Sequence, residues 1–255
     1  MKENLTELVF ILDRSGSMCG ISDDAIGGFN AFLASQKQIP GEAKLSLVLF
    51  DHEYQMIYNG RDIQSVEPLD DKTYVPRGTT ALLDAIGRTV DDIGRRLSET
   101  PEEERPSKVL VAILTDGLEN ASYRFERSKI NSMITHQADK YSWQFLFLAA
   151  NQDAITEGLN LGIHATNSMN FCCDTAEGNA YAYNTLSCAA SMYRCTGSIG
   201  DIKDIDADAD PLDIAGVPSR GSFKSGGSDL GGQRVVGDPK AVITILPVGS
   251  ITDKK

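Results

Sequence analysis

Two aspartates in this chain each stand directly behind an apolar run and beside hydroxyl residues. Asp13 opens the stretch Asp13-Arg14-Ser15-Gly16-Ser17, and Asp116 lies within Thr115-Asp116-Gly117. A third stretch, Arg77-Gly78-Thr79-Thr80, runs into a segment of helical periodicity. Brought together, these pieces offer two carboxylates and several hydroxyls. An all-oxygen set of that kind suits a hard cation such as Mg²⁺, Mn²⁺ or Ca²⁺ and disfavours zinc. Neutral hydroxyl donors add ligands without adding negative charge, so a bound cation stays able to take an acidic side chain from a partner. Gly16 and Gly78 let the backbone pass close to an ion. Taken singly, Asp116-Gly117 is an ordinary turn pair, and Ser15, Thr79 or Thr80 an ordinary helix cap.

The elements around these stretches decide whether they meet. Residues 8–12, 109–114 and 145–148 are continuous apolar runs that stop at polar loops, the pattern of strands buried on both faces of a parallel sheet. Residues 44–50 and 54–58 flank a short turn and predict a hairpin, with an antiparallel strand at the sheet edge. Helical periodicity covers 23–38, 80–97, 128–141 and 155–161, with a further short strand at 169–171 and a helix over 175–192. This alternation predicts an α/β fold: a doubly wound, mostly parallel sheet with one antiparallel edge strand and helices on both faces. Ligands of such sheets bind at the carboxyl ends of the strands, where Asp13 and Asp116 lie.

The order Asp-x-Ser-Gly-Ser, a threonine before a helix, then Thr-Asp-Gly after a later strand resembles the metal-ion-dependent adhesion site (MIDAS) of von Willebrand factor A domains. The resemblance covers about residues 4–195, and Leu12-Asp13-Arg14-Ser15-Gly16-Ser17-Met18 is similar to the opening of small bacterial and phage members of that family. It implies a Rossmann-like sheet and a metal held by Asp13, Ser15, Ser17, Thr80 and Asp116. The serines and threonine would contact the ion directly, the aspartates directly or through water. The register of the following Ala81-Leu82-Leu83-Asp84 favours Thr80, with Thr79 as the alternative. The resemblance further implies a cytoplasmic adaptor that binds a protein partner's Asp or Glu carboxylate through the ion, as intracellular relatives do in larger assemblies, including ATPase machines.

Other classes fit less well. The chain has 36 acidic and 24 basic side chains, a formal charge of −12, and no Lys/Arg cluster in sequence, which argues against nucleic acid or anionic lipid as a partner. No secretory-signal pattern and no run of about 20 apolar residues is present, so the expected location is cytoplasmic and no membrane is expected. The Asn-x-Ser/Thr matches at Asn4 and Asn120 are then chance. A Mg²⁺-dependent phosphoryl-transfer enzyme would need a second acid two positions after the first aspartate, where Ser15 stands, so no catalytic residue is expected. Five cysteines, an odd number, with Cys172 adjacent to Cys173, suggest free thiols rather than a disulfide framework or a zinc site. The aspartates at 201, 204, 206, 208 and 210 lack the glycine and glutamate of a calcium loop and read as a solvated acidic stretch. By composition, residues 1–195 form the domain, 196–240 a Gly/Ser/Asp-rich linker or flexible segment, and 241–255 a strand candidate and tail. That tail offers a third reading, a structural protein that docks by adding its strand to a partner's sheet.

Overall fold

A computed structural model of the chain describes residues 1–150 and 153–217, all within one compact unit. Its strands are β1 (Lys2–Asp13), β2 (Glu42–Phe50), β3 (Tyr54–Asp62), β4 (Pro106–Thr115), β5 (Gln144–Ala149) and β6 (Ser168–Asn170). The helices are α1 (Ser22–Gln36), α2 (Leu82–Glu99), α3 (Arg127–Tyr141), α4 (Ala154–Asn160), α5 (Ala176–Thr196) and α6 (Pro211–Ile214). The six strands lie in the order β3-β2-β1-β4-β5-β6. All neighbours are parallel except β2 and β3, which form the expected antiparallel edge.

Alternation along the strands builds two cores. Leu8, Phe10, Leu12, Leu45, Leu47, Leu110, Leu114 and Leu146 face α1 and α5, where Phe29, Phe32, Tyr183 and Leu186 meet them. Val9, Ile11, Val48, Val111, Ile113 and Phe147 face the opposite way, onto α2, α3 and α4 through Leu82, Ile86, Ile93, Ile130 and Ile134. Because both faces are covered, the central strands read as unbroken apolar runs. Strand order reverses between β1 and β4, which opens a crevice at their carboxyl ends. That crevice receives Asp13 and the turn after Thr115.

One acidic side chain interrupts the core. Glu7, fully buried on β1, accepts hydrogen bonds at Oε1 from Ser46 Oγ at 2.8 Å and Arg96 Nη2 at 2.7 Å. Arg96 reaches it from the last turn of α2. Removing the guanidinium would leave a charged carboxylate buried without its counter-ion, which typically costs about 3–5 kcal/mol. Arg96→Met is therefore expected to lower the denaturation midpoint sharply. Adding Glu7→Gln to it should recover part of the loss. An unchanged midpoint for Arg96→Met would contradict the assignment.

The packed chain continues beyond residue 195, which corrects the linker assignment for its first part. Ile199, Ile202, Ile205 and Ala207 are buried against the α5 side of the sheet. Asn184 on α5 donates to the carbonyls of Ala207 and Ala209. Isoleucines at every third position supply the burial, while Asp201 and Asp210 turn to the backbone NH groups of Lys203 and Leu212. Composition had favoured a solvated segment because it weighs the aspartates and glycines over three well-spaced isoleucines. The rest of the expected linker from 218, and the strand candidate 241–255, lie outside the described residues. Among the described residues Cys19, Cys172, Cys188 and Cys195 are free thiols, Cys173 and Cys188 are buried, and no helix is long and apolar enough to cross a membrane.

Candidate metal centre

β1 ends on Asp13, whose carboxylate is fully buried. Its Oδ1 accepts the backbone NH of Ser15 at 2.7 Å, which folds the loop back over the strand end. Its Oδ2 accepts the Thr115 hydroxyl at 2.5 Å, tying the ends of β1 and β4 together. The Tyr74 hydroxyl donates to the Asp13 carbonyl at 2.6 Å and anchors a third loop to the same point. That loop is then zipped to the first by Arg77 NH to the Arg14 carbonyl, 2.8 Å, and Gly16 NH to the Gly78 carbonyl, 3.1 Å. Gly78 adopts φ +67°, which only glycine holds without strain, and it packs against the His52 ring.

Within this frame the hydroxyls converge. Ser15 Oγ and Ser17 Oγ are 3.1 Å apart, and Ser17 Oγ donates to Asp116 Oδ1 at 2.7 Å. Gly117 marks the centre. A Cβ placed on it would lie 3.0 Å from Thr80 Oγ1, 3.5 Å from Ser17 Oγ and 3.8 Å from Ser15 Oγ. The absence of a side chain there leaves a cradle lined by three hydroxyls and flanked by Asp116. The structure thus brings Asp13, Ser15, Ser17, Thr80 and Asp116 to one crevice. It also separates the two threonines, since Thr80 is buried and faces the cradle whereas Thr79 is exposed. Thr80 is not a helix cap. α2 begins at Leu82, and its free NH groups at Leu83 and Asp84 are taken by Glu119 Oε2 and Ser122 Oγ.

Those caps belong to a set of positioning residues that sequence reading missed. Asn120 accepts the Thr80 NH at Oδ1, 2.9 Å, and donates its own NH to the Thr80 carbonyl. Glu119 also accepts the NH groups of Ala121 and Ser122, and Asp84 accepts those of Tyr123, Arg124 and Phe125. The loop after β4 is thereby pinned to the start of α2, which sets Thr80 opposite Asp116. The contacts that join residues 80–84 to 119–125 each span about 40 residues of sequence, and no local pattern announces them.

The electrostatics suit a cation. Burial pushes the Asp13 carboxyl up to about 6, despite hydrogen bonds from Thr115 and Ser15 that favour the charged form; the nearby Asp116 adds to the rise. Burial likewise raises Asp116, opposed by the Ser17 hydroxyl. No lysine or arginine forms an ion pair with Asp13 among the described residues, and the adjacent Arg14 turns away to Asp51. Two desolvated carboxylates beside three hydroxyls and a glycine-lined cradle fit a hard divalent ion. None of the five residues is a cysteine or histidine, the donors a soft ion prefers, and no group of three His, Cys, Asp or Glu occurs among the described residues.

No family model and no curated protein matches the chain in sequence. Solved structures do match. Proximal thread matrix protein 1 from the mussel byssus superposes with a TM-score of 0.50 at 14% identity, over 72% of this chain and 46% of that one. A von Willebrand factor type A protein from Catenulispora acidiphila gives 0.47 at 13%, over 74% and 43%. The manganese-loaded TRAP protein of Plasmodium vivax gives 0.48 at 16%, over 71% and 73%. This chain spans less than half the length of the first two, and at such identities the likeness is one of fold. The sheet order, the antiparallel edge and the helices on both faces are those of a von Willebrand factor A-type, Rossmann-like α/β fold.

Proposed function

We propose that the chain is a metal-dependent protein-binding module. Asp13, Ser15, Ser17, Thr80 and Asp116 would hold one divalent cation, Mg²⁺ or in its place Mn²⁺ or Ca²⁺. The ion would supply an electrophilic position for an Asp or Glu carboxylate of the partner. The observation that carries this reading is the cradle at Gly117, where three hydroxyls from two separate loops converge beside Asp116. The protein's own part is to hold these donors in place before any ligand arrives. Thr115 and the Ser15 NH orient Asp13, Asn120 fixes Thr80, and Gly117 keeps the space open. The surrounding rim suits a protein surface, since Val75, Leu118 and Tyr123, all on loops next to the site, are 47%, 62% and 77% exposed. Ser15 stands two positions after Asp13, where phosphoryl transfer from an aspartate would call for a second acid, and this favours a binding role.

Titration calorimetry across pH tests the reading. A proton and a cation compete for Asp13, whose carboxyl is pushed up to about 6 in the metal-free protein. Affinity for Mg²⁺ or Mn²⁺ should therefore be nearly flat above pH 7. Below pH 6 it should fall about tenfold per pH unit as the carboxyl takes up its proton. A profile that stays level down to pH 5 would mean that Asp13 is not part of the site.

A further inference from the structure

A basic pocket adjoins the metal loop in a chain whose overall charge is −12. It encloses about 450 Å³ and is lined by Arg14, Gln55, Lys72, Thr73, Val75 and Arg77. Arg14 sits between the candidate ligands Asp13 and Ser15, and Arg77 precedes Gly78 and Thr80, so the pocket is built on the same two loops as the cradle. Its floor is rigid. Arg14, only 4% exposed, donates from Nε to Asp51 Oδ2 at 2.9 Å and from Nη1 to Gln55 Oε1 at 2.6 Å. Arg77 Nε reaches the same Asp51 oxygen at 3.0 Å and its Nη2 pairs with Glu53. Asp51 and Glu53 thus offset two of the three cations. Asp70 is engaged by the NH and hydroxyl of Thr73, and the exposed Lys72 makes no salt bridge among the described residues.

We propose that the partner segment is doubly acidic: one carboxylate goes to the metal, and a second enters the pocket formed by Arg14, Lys72 and Arg77. The proposal rests on the metal-dependent binding reading and specifies its ligand. Arg77, half exposed and held by Asp51, presents its guanidinium to the pocket, with the buried Arg14 behind it. The hydrogen bonds of Thr73, and then the nearby charge of Lys72, lower the Asp70 carboxyl. Lys72, in no salt bridge among the described residues, closes the pocket with a third positive charge. The exposed Val75 gives the acidic side chain's methylenes an apolar wall. One other concavity would reject the same segment. The larger cleft between α1 and α5, about 990 Å³, is bordered by Asp23, Asp24, Glu177 and Asp208. The charge pattern therefore steers an acidic chain away from that cleft and favours the flank that carries Arg14, Lys72 and Arg77.

The test uses the full chain with saturating Mn²⁺ and two fluorescent probes, hexaglutamate and a Gly/Ser hexapeptide carrying a single glutamate. Hexaglutamate is expected to bind about tenfold more tightly than the single-glutamate probe, and only in the presence of Mn²⁺. Lys72→Glu should remove most of that difference, and Lys72→Arg should keep it. Calorimetry should show unchanged Mn²⁺ affinity in both variants, which separates this pocket from the metal centre. If Lys72→Glu binds Mn²⁺ and hexaglutamate as tightly as the wild type, the second-carboxylate pocket is refuted and the metal site stands. If the wild type binds no Mn²⁺, the reading beneath the proposal fails, and calorimetry shows that before any peptide is added.

Discussion

Asp13→Asn is expected to reduce divalent-metal affinity by about 100-fold or more while making the metal-free protein more stable. Both effects have one cause. The carboxyl is buried at the end of β1 and lifted from an ordinary 3.8 to about 6, so above pH 6 the folded protein holds a charge it solvates poorly. A raised carboxyl favours the folded state only when protonated. That advantage is fully present below about pH 4 and is lost as the pH rises through 6. At pH 8 the difference corresponds to about 3 kcal/mol in favour of a neutral side chain. Asparagine keeps the shape and can still accept the Ser15 NH. Its amide can donate to the Thr115 hydroxyl, which retains the Gly117 carbonyl as its own acceptor at 3.2 Å. Thermal melts at pH 8 should then show the variant melting above the metal-free wild type. Added Mg²⁺ or Mn²⁺ should raise the wild type and leave the variant where it is. Equal metal-induced shifts in both proteins would refute a role for Asp13.

Gly117→Ala is expected to abolish metal binding without unfolding the domain. The added methyl would lie 3.0 Å from Thr80 Oγ1 and 3.5 Å from Ser17 Oγ, filling the space the hydroxyls surround. Gly117 does not hold a positive φ, so the backbone accepts alanine, and the residue is only partly buried. The cost should therefore fall on the cradle rather than on the core, with a midpoint close to that of the metal-free wild type and a loss of affinity of at least about 100-fold. A variant that binds Mn²⁺ normally would place the ion elsewhere. This substitution complements Asp13→Asn because it removes no charge and no ligand, only room.

The parts of the molecule that could be read in sequence are those governed by local rules. Strands β4 and β5 announced themselves as apolar runs because helices cover both faces of the sheet, and the hairpin was visible in the alternation of β2. β1 starts earlier than expected, at Lys2, because its exposed first turn of chain is held by pairing to Arg105 and Pro106, which hydrophobicity does not encode. The five candidate ligands were legible because each follows or precedes an apolar segment at a spacing that chemistry constrains. Register favoured Thr80 over Thr79, and Thr80 is the buried one of the two. Tyr74, Asp84, Glu119 and Asn120 were not legible, since an isolated polar residue says nothing of a partner 36 or more positions away. The isoleucines of 199–205 were overlooked for a related reason: three apolar residues among aspartates have meaning only once α5 is there to receive them.

The most direct test of the central claim is calorimetric titration of Mg²⁺ and Mn²⁺ into the chelator-stripped full chain beside a Ser15→Ala, Ser17→Ala variant. One ion bound per wild-type chain, with affinity strongly reduced in the variant at an unchanged melting temperature, is the predicted result. Full metal binding by the doubly substituted protein, or none by a folded wild type, would contradict it.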